Sequence, residues 1–497
     1  MIRHGKTSES WKSLPSKKFR KNLFRLQRRI FKAIRAGNTA KARSLQKLVL
    51  RSTAAKLLAI RQVTQLNRGK RTAGIDGKKA LTFVERFQLL ELLSNTNNWK
   101  HQKLREIPIP KKNGFTRILK VPTIADRAWQ CLIKFALEPA HEATFHARSY
   151  GFRTGRCAHD AQKVIYINLN SHAKGHTKRV LELDIKKCFD RISHKSIMDR
   201  LIAPKGIKQG IFRCLRSGVN PEFPEQGAPQ GGVVSPLLAN IALNGIEEIH
   251  PSVRYADDMI FFLKPSDEVE KIKTKIKKFL AQRSMELSEE KTRLTAATDG
   301  FNFLGWFFRV QKNHKFRCVP STENFLNMRG KVKEIVNCSN YGAETKAKKI
   351  APIIRGWRNY HQYCRMKGSR NSLWSLNHRT FKVFCKQKKM SRNKAEQLVR
   401  KAFPSVRWRE SKHVNVKGEK SPYDGDITYW SQREAKQYEG TTAKLLKKQN
   451  HTCERCACKF LPGEKIHLHH IDGNHENCKP QNLVAIHQSC HQYEHMS

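Results

Sequence analysis

Two acidic strand ends, Asp184 and, 73 residues later, Asp257, constrain this chain more than any other feature. Val253 to Leu263 reads as strand, turn, strand, with Tyr255-Ala256-Asp257-Asp258 across the turn. Val180 to Ile185 reads as a strand with Leu181, Leu183 and Ile185 on one side and Val180, Glu182 and Asp184 on the other. The apolar side is expected to pack on helices and the acidic side to face a cleft. Carboxylates converging from separate strands suit a pair of divalent ions, because shared anionic oxygens offset the repulsion between the ions. The chemistry that such a pair serves is nucleotidyl transfer, with a hydroxyl activated and the leaving pyrophosphate stabilised.

A chain of 497 residues is long enough for several domains. It carries 97 Lys and Arg against 41 Asp and Glu, a net charge of +56. Such a field opposes compaction unless a polyanion neutralises it, which points to nucleic acid as the partner. Residues 1–60 hold 17 of these cations and one acid, Glu9. Leu23, Leu26, Ile30 and Ile34, then Leu45, Leu48 and Val49, recur at helical spacing and predict two basic amphipathic helices that face RNA. The first residues lack an apolar signal segment and no run of about 18 apolar residues occurs, so neither a leader nor a membrane partner is expected. Of 13 cysteines, five crowd between Cys453 and Cys490 among histidines, a pattern of metal ligation rather than of disulfides.

Asn113-Gly114 predicts a hairpin turn, with Ile107 and Ile109 before it and Ile118 and Val121 after it. The hairpin carries Lys111, Lys112 and Arg117, cations that suit a triphosphate. Residues 227–236 form a Gly-rich loop that enters an apolar helix, Leu237 to Ile246. From 320 to 400 the pattern is helical. Ser321 caps a helix with the apolar face Phe325, Met328, Val332, Ile335 and Val336, and a second helix carries Ile353, Ile354, Trp357 and Tyr360. Two more helices are expected near 371–387 and 391–402. Residues 403–440 read as a small irregular basic module whose aromatics, Trp408, Tyr423, Tyr429 and Trp430, suit base stacking.

Several blocks in order resemble a reverse transcriptase of the group II intron type over residues 60–310. They are the Lys111–Arg117 hairpin, Leu183-Asp184-Ile185-Lys186-Lys187-Cys188-Phe189-Asp190, Ala228-Pro229-Gln230-Gly231-Gly232, the Tyr255–Asp258 tetrapeptide, Glu290-Lys291-Thr292 and Phe303-Leu304-Gly305-Trp306. The resemblance implies that Asp184 and Asp257 bind two Mg²⁺ ions and that Asp258 completes the carboxylate cluster. It makes Phe189 a gate against ribose, and Gln230 a contact to the incoming nucleotide or template. Lys111 (or Lys112) and Arg117 would hold the triphosphate of a dNTP. Cys188 and Met259 depart from the family pattern, which has aromatics at these two places.

Pro352-Ile353-Ile354-Arg355-Gly356-Trp357-Arg358-Asn359-Tyr360 resembles domain X of intron maturases, and Asp424 to Trp430 resembles the DNA-binding module that follows it. Cys453-x2-Cys456, His469-His470, Asn482 and His487-x2-Cys490-His491 resemble an HNH endonuclease of the ββα-metal type. That resemblance implies structural Zn²⁺ on Cys453, Cys456, His487 and Cys490, with Cys458 as a rival ligand. It also implies His470 as general base, Asn482 orienting it, and His469 and His491 on one further divalent ion, Mg²⁺ or Mn²⁺.

The expected architecture is an α+β multidomain chain. Residues 1–80 are a basic helical extension, 81–312 polymerase fingers and palm, 313–402 a helical thumb with domain X, 403–440 the DNA-binding module and 441–497 the HNH domain. The expected function is that of a mobile-intron protein. It binds its own intron RNA, assists splicing, nicks target double-stranded DNA and reverse-transcribes from the nick, in the cytoplasm or nucleoid of a bacterium. The rival readings are a splicing cofactor with idle enzymatic sites and a reverse transcriptase of a non-intron element such as a retron.

Overall fold

The computed structural model describes residues 11, 14–96, 98–110, 114, 116–218, 222–366, 373–387, 390–435, 438, 440–460 and 464–494. At its centre is a four-stranded antiparallel sheet. Its strands are β3 (Arg179–Leu183), β4 (Ser252–Tyr255), β5 (Asp258–Leu263) and β6 (Arg293–Ala296), in the order β4-β5-β3-β6. A separate hairpin precedes it, β1 (Arg105–Pro110) paired with β2 (Thr116–Val121) from Arg105↔Val121 to Pro110↔Thr116. A three-stranded sheet follows, β7 (Phe301–Phe303), β8 (Trp306–Val310) and β9 (Phe316–Pro320).

The central sheet is packed on both faces, which corrects the expected open acidic side. Leu181, Leu183 and Ile185 join one core, built with the N-terminal helices and the helices Ile124–Glu142 and Ser235–Leu243. Val180, on the other face, joins a second core with Val253, Ile260, Trp306, Phe308 and the helices from 322 to 402. Each Leu or Ile so buried contributes about 1.5–3 kcal/mol. Asp184 reaches the cleft for another reason: it lies one residue beyond the end of β3.

The two predicted N-terminal helices are Ser16–Arg35 and Thr39–Arg51, and a third, Thr53–Arg61, follows. Asn38 and Ser52 start the latter two by accepting from Lys41 N at 2.9 Å and Ala55 N at 3.3 Å. Leu48 is not on the buried face; it is 45 % exposed. Ser321 caps the helix Thr322–Asn337 as predicted, accepting from Asn324 N at 3.2 Å. The helices Ala343–Tyr360, Trp374–Cys385 and Arg392–Ala402 complete this helical region.

Residues 403–440 are less irregular than expected, because a buried polar hub orders them. Asp160 Oδ1 accepts from His413 Nε2 at 3.0 Å, Val416 N at 3.1 Å and Arg433 Nη2 at 2.6 Å. This ties a helix running Ile427–Ala435 to the helix Ala158–Leu169. Tyr423 and Trp430 are buried rather than free to stack on bases, and Trp430 Nε1 donates to Ser421 O at 3.0 Å. Trp408 is exposed.

Candidate active site and metal centre

The register of the central sheet builds the first site. Antiparallel pairing of Leu183 with Met259 brings the next residues, Asp184 and Asp258, to adjacent strand ends. Tyr255 pairs with Asp258, so Ala256 and Asp257 form a two-residue turn, with Ala256 at φ 59°. Arg254 braces this turn from behind. It is fully buried and donates to Glu247 at 2.6 Å, Asn240 Oδ1 at 2.8 Å and Ala256 O at 3.1 Å. Asn240 in turn donates to Gly151 O at 2.8 Å.

The carboxylates sense one another. Desolvation first, and then the charge of Asp184, raise the Asp257 carboxyl. Asp258 is pushed up to about 6 by desolvation in the cleft and then by Asp257 and Asp184. Lys291, which the sequence marks only as part of a family block, gives Nζ to Asp184 Oδ2 at 2.6 Å. The hard oxygen donors and the accumulated negative charge fit Mg²⁺.

Arg117, on exposed β2, donates its Nε to Gln230 Oε1. The Gly-rich loop lies on the same strand, with Lys120 N donating to Gln230 O at 2.9 Å. A Cβ on Gly231, at φ +124°, would meet Lys120 O at 2.6 Å. Phe189 is half-buried on the turn of helix Cys188–Arg191, and its carbonyl accepts from Ala228 N at 2.7 Å. Lys111 and Lys112 lie outside the described residues.

The second site is in the C-terminal module, where β10 (Ile466–His470) pairs with β11 (Leu483–His487) ahead of the helix Gln488–Glu494. Cys453, Cys456, His487 and Cys490 are buried, and their ligand atoms lie within 4.8 Å of one another. His487 Nδ1 is 3.3 Å from Cys456 Sγ and 3.8 Å from Cys490 Sγ. Sulfur ligands about 2.3 Å from a tetrahedral zinc stand about 3.8 Å apart, so the donor set fits Zn²⁺. Cys458 stays outside the set and gives its carbonyl to Cys453 N at 2.9 Å.

His469 and His491 stand with ring centroids 5.6 Å apart. Asn482 departs from its expected part: its amide holds the loop after β10 instead of His470. Its Nδ2 donates to Asp472 Oδ1 at 2.8 Å and Asn477 O at 2.9 Å, and its Oδ1 accepts from Asp472 N at 3.1 Å. His470 Nδ1 is buried without a hydrogen-bond partner. Cys478 Sγ is 4.0 Å from His470 Nε2.

Comparison with known proteins places this architecture. Residues 109–308 match the reverse transcriptase (RNA-dependent DNA polymerase) family, and 11–93 match the N-terminal domain of reverse transcriptase. Residues 326–403 match the group II intron maturase-specific domain. The chain belongs to the maturase-type reverse transcriptases of group II introns. Maturase-like protein 1 of Euglena gracilis is 40% identical over 384 residues, covering 77% of this chain and 84% of that protein. The group II intron-encoded protein LtrA of Lactococcus lactis subsp. cremoris is 28% identical, over 58% of this chain and 62% of its own. Protein YkfC of Escherichia coli (strain K12) is 29% identical, over 49% and 77%. The bacterial setting expected from the sequence is not supported, because the relatives at 40% and 36% identity are both from Euglena. Among the described residues no helix is long and apolar enough to cross a membrane.

Proposed function

We propose that this chain copies RNA into DNA at Asp184, Asp257 and Asp258 and assists the splicing of the intron RNA that encodes it. We further propose that its C-terminal module is an HNH-type endonuclease, which nicks target double-stranded DNA to supply the primer. The observation that carries the reading is the convergence of Asp184 with the Asp257-Asp258 turn, faced by Lys291. Two Mg²⁺ ions held by Asp184 and Asp257, with Asp258 beside them, supply activation of the primer hydroxyl and charge stabilisation of the leaving pyrophosphate. The chain's own residues do the positioning. Arg117, steadied by Gln230, offers a guanidinium to the triphosphate of a dNTP. Phe189 serves as the gate whose ring would clash with a ribose 2′-hydroxyl. The helix Ala343–Tyr360, which carries the maturase signature, and the net charge of +56 suit intron RNA.

In the C-terminal module, zinc on Cys453, Cys456, His487 and Cys490 fixes a fold too small to be stable without it. His470 is the base that takes the proton of the attacking water. His469 and His491 hold a divalent ion, Mg²⁺ or Mn²⁺, and Asn482 acts indirectly, through Asp472 and the loop. The test is a pair of variants assayed for RNA binding, primer extension on RNA and nicking of target DNA. Asp257→Asn should lose primer extension alone, and His470→Ala should lose nicking alone. If either variant loses all three activities, the modular reading fails.

A further inference from the structure

The C-terminal module has a core of its own. Leu445, Leu446, Phe460, Leu483, Ala485 and Ile486 close around the buried cysteines, apart from the two cores of the central sheet. Among the described residues, polar side chains join it to the N-terminal helices. Arg20, on the helix Ser16–Arg35, gives Nη1 to Glu464 Oε1 at 2.9 Å, and its Nη2 lies 3.9 Å from Cys490 Sγ. The other oxygen of the same carboxylate, Glu464 Oε2, lies 2.9 Å from His487 Nε2. Arg61 reaches Ser489 O at 3.4 Å. A cavity of about 380 Å³ lies among these groups, with Leu23, Leu58 and Phe135 also on its wall.

We propose that Arg20 and Glu464 form the outer shell of the Cys453/Cys456/His487/Cys490 centre, so that metal loading and docking of the C-terminal module on the N-terminal helices are one coupled equilibrium. The proposal rests on the zinc reading above. A histidine that ligates through Nδ1 carries its proton on Nε2. Glu464 Oε2, 2.9 Å from Nε2, sets a negative charge against that proton, which favours this tautomer and makes Nδ1 a better donor. Three thiolates, a neutral imidazole and Zn²⁺ sum to one negative charge, and Glu464 adds another. The Arg20 guanidinium lies against both Glu464 and Cys490 and offsets that charge where water is partly excluded. Thermodynamic coupling is reciprocal: by whatever factor docking tightens the metal, the metal tightens docking.

The experiment uses the full chain. Zinc affinity is measured by competition with a chromophoric chelator, and amide hydrogen exchange is followed over residues 16–35. Glu464→Gln and Arg20→Ala should each weaken zinc binding by about 10–100-fold. The double variant should be no weaker than the weaker single one, because the two residues act as a unit. Removing zinc from the unaltered chain should speed exchange in the Ser16–Arg35 helix, and Glu464→Gln should speed it with zinc bound. Glu464→Gln is nearly isosteric, so it keeps the test valid if Arg20→Ala fails to fold. Unchanged zinc affinity in both variants overturns the coupling, as does exchange in the helix that ignores zinc. If the unaltered chain binds no more zinc than Cys456→Ser, the zinc reading itself falls and the coupling with it.

Discussion

The indole of Trp306 lies flat on the phenol ring of Tyr360, with ring centroids 4.6 Å apart and planes 2° from parallel. Trp306 belongs to the Phe303-Leu304-Gly305-Trp306 block and Tyr360 ends the maturase signature, so two sequence motifs meet in one contact. The Tyr360 hydroxyl donates to Leu304 O at 2.7 Å, and Trp357 Nε1 donates to Asn324 Oδ1 at 2.9 Å. Truncating Trp306 to alanine should cost about 3–5 kcal/mol. Tyr360→Phe keeps the stack, loses one hydrogen bond and should cost roughly 0.5–1.5 kcal/mol. Urea unfolding of the two variants checks the order.

Gly151 touches the back of the Asp257-Asp258 turn, where an added Cβ would meet Ala256 N at 2.4 Å. Gly151→Ala should therefore shift Asp257 and Asp258. Primer extension should fall by at least an order of magnitude, since small misplacements of reacting groups are costly. Equal activity in Gly151→Ala, at equal folded fraction by circular dichroism, would show that the turn tolerates displacement.

The Asp258 carboxyl sets a pH signature. Its folded value of about 6 lies above its ordinary 3.8, so between these values the folded protein holds the extra proton. Stability of the metal-free protein should then decline as pH rises through that window, the reverse of a salt-bridged aspartate. Asp258→Asn should lessen the decline, leaving the smaller part due to the raised Asp257, and abolish DNA synthesis. In the unaltered chain protons compete for the same carboxylate, so the Mg²⁺ needed for half-maximal primer extension should rise as pH falls below about 6.

The hub around Asp160 titrates in the ordinary sense. Burial alone would raise its carboxyl, but the His413 hydrogen bond and the Arg433 charge hold it at about 2, below its usual 3.8. Burial likewise opposes His413, whose imidazole is raised above 6.5 by its bond to Asp160. The Asp160 contribution is complete above 3.8 and is lost as pH falls toward about 2. The His413 contribution is complete below 6.5 and is lost as pH rises through its raised value. Arg433→Met leaves a buried carboxylate short of a partner and should cost roughly 3–5 kcal/mol, measured by urea unfolding near pH 5 to 6.

The acidic strand ends were legible because strand alternation and a two-residue turn are local patterns. Asp184 and the Asp257-Asp258 turn could therefore be paired from pattern, while the part of each carboxylate came from the family resemblance. The partners that tune them were not. Lys291 finds Asp184 across 107 positions, and Arg20 finds Glu464 across 444, and no periodicity records either meeting. The buried face of Val180 was misread for a related reason. A strand with one acidic and one apolar side looks half-solvated until distant helices cover it. Trp430 was misread because an aromatic in a basic segment suits base stacking and core packing equally well, and Gly155 gives it a pocket, where an added Cβ would meet the ring at 2.9 Å.

The central sheet serves two halves of the molecule at once, one face packed into the N-terminal core and the other into the core of the helices from 322 to 402. Its carboxylates, by contrast, project from strand ends outside both cores, where Lys291 meets Asp184. A descendant of this chain that gave up DNA synthesis and kept only its RNA work could therefore lose all three aspartates with its architecture intact, yet it could not discard the sheet. Catalytic competence here is detachable from the scaffold, and the scaffold is not detachable from the maturase.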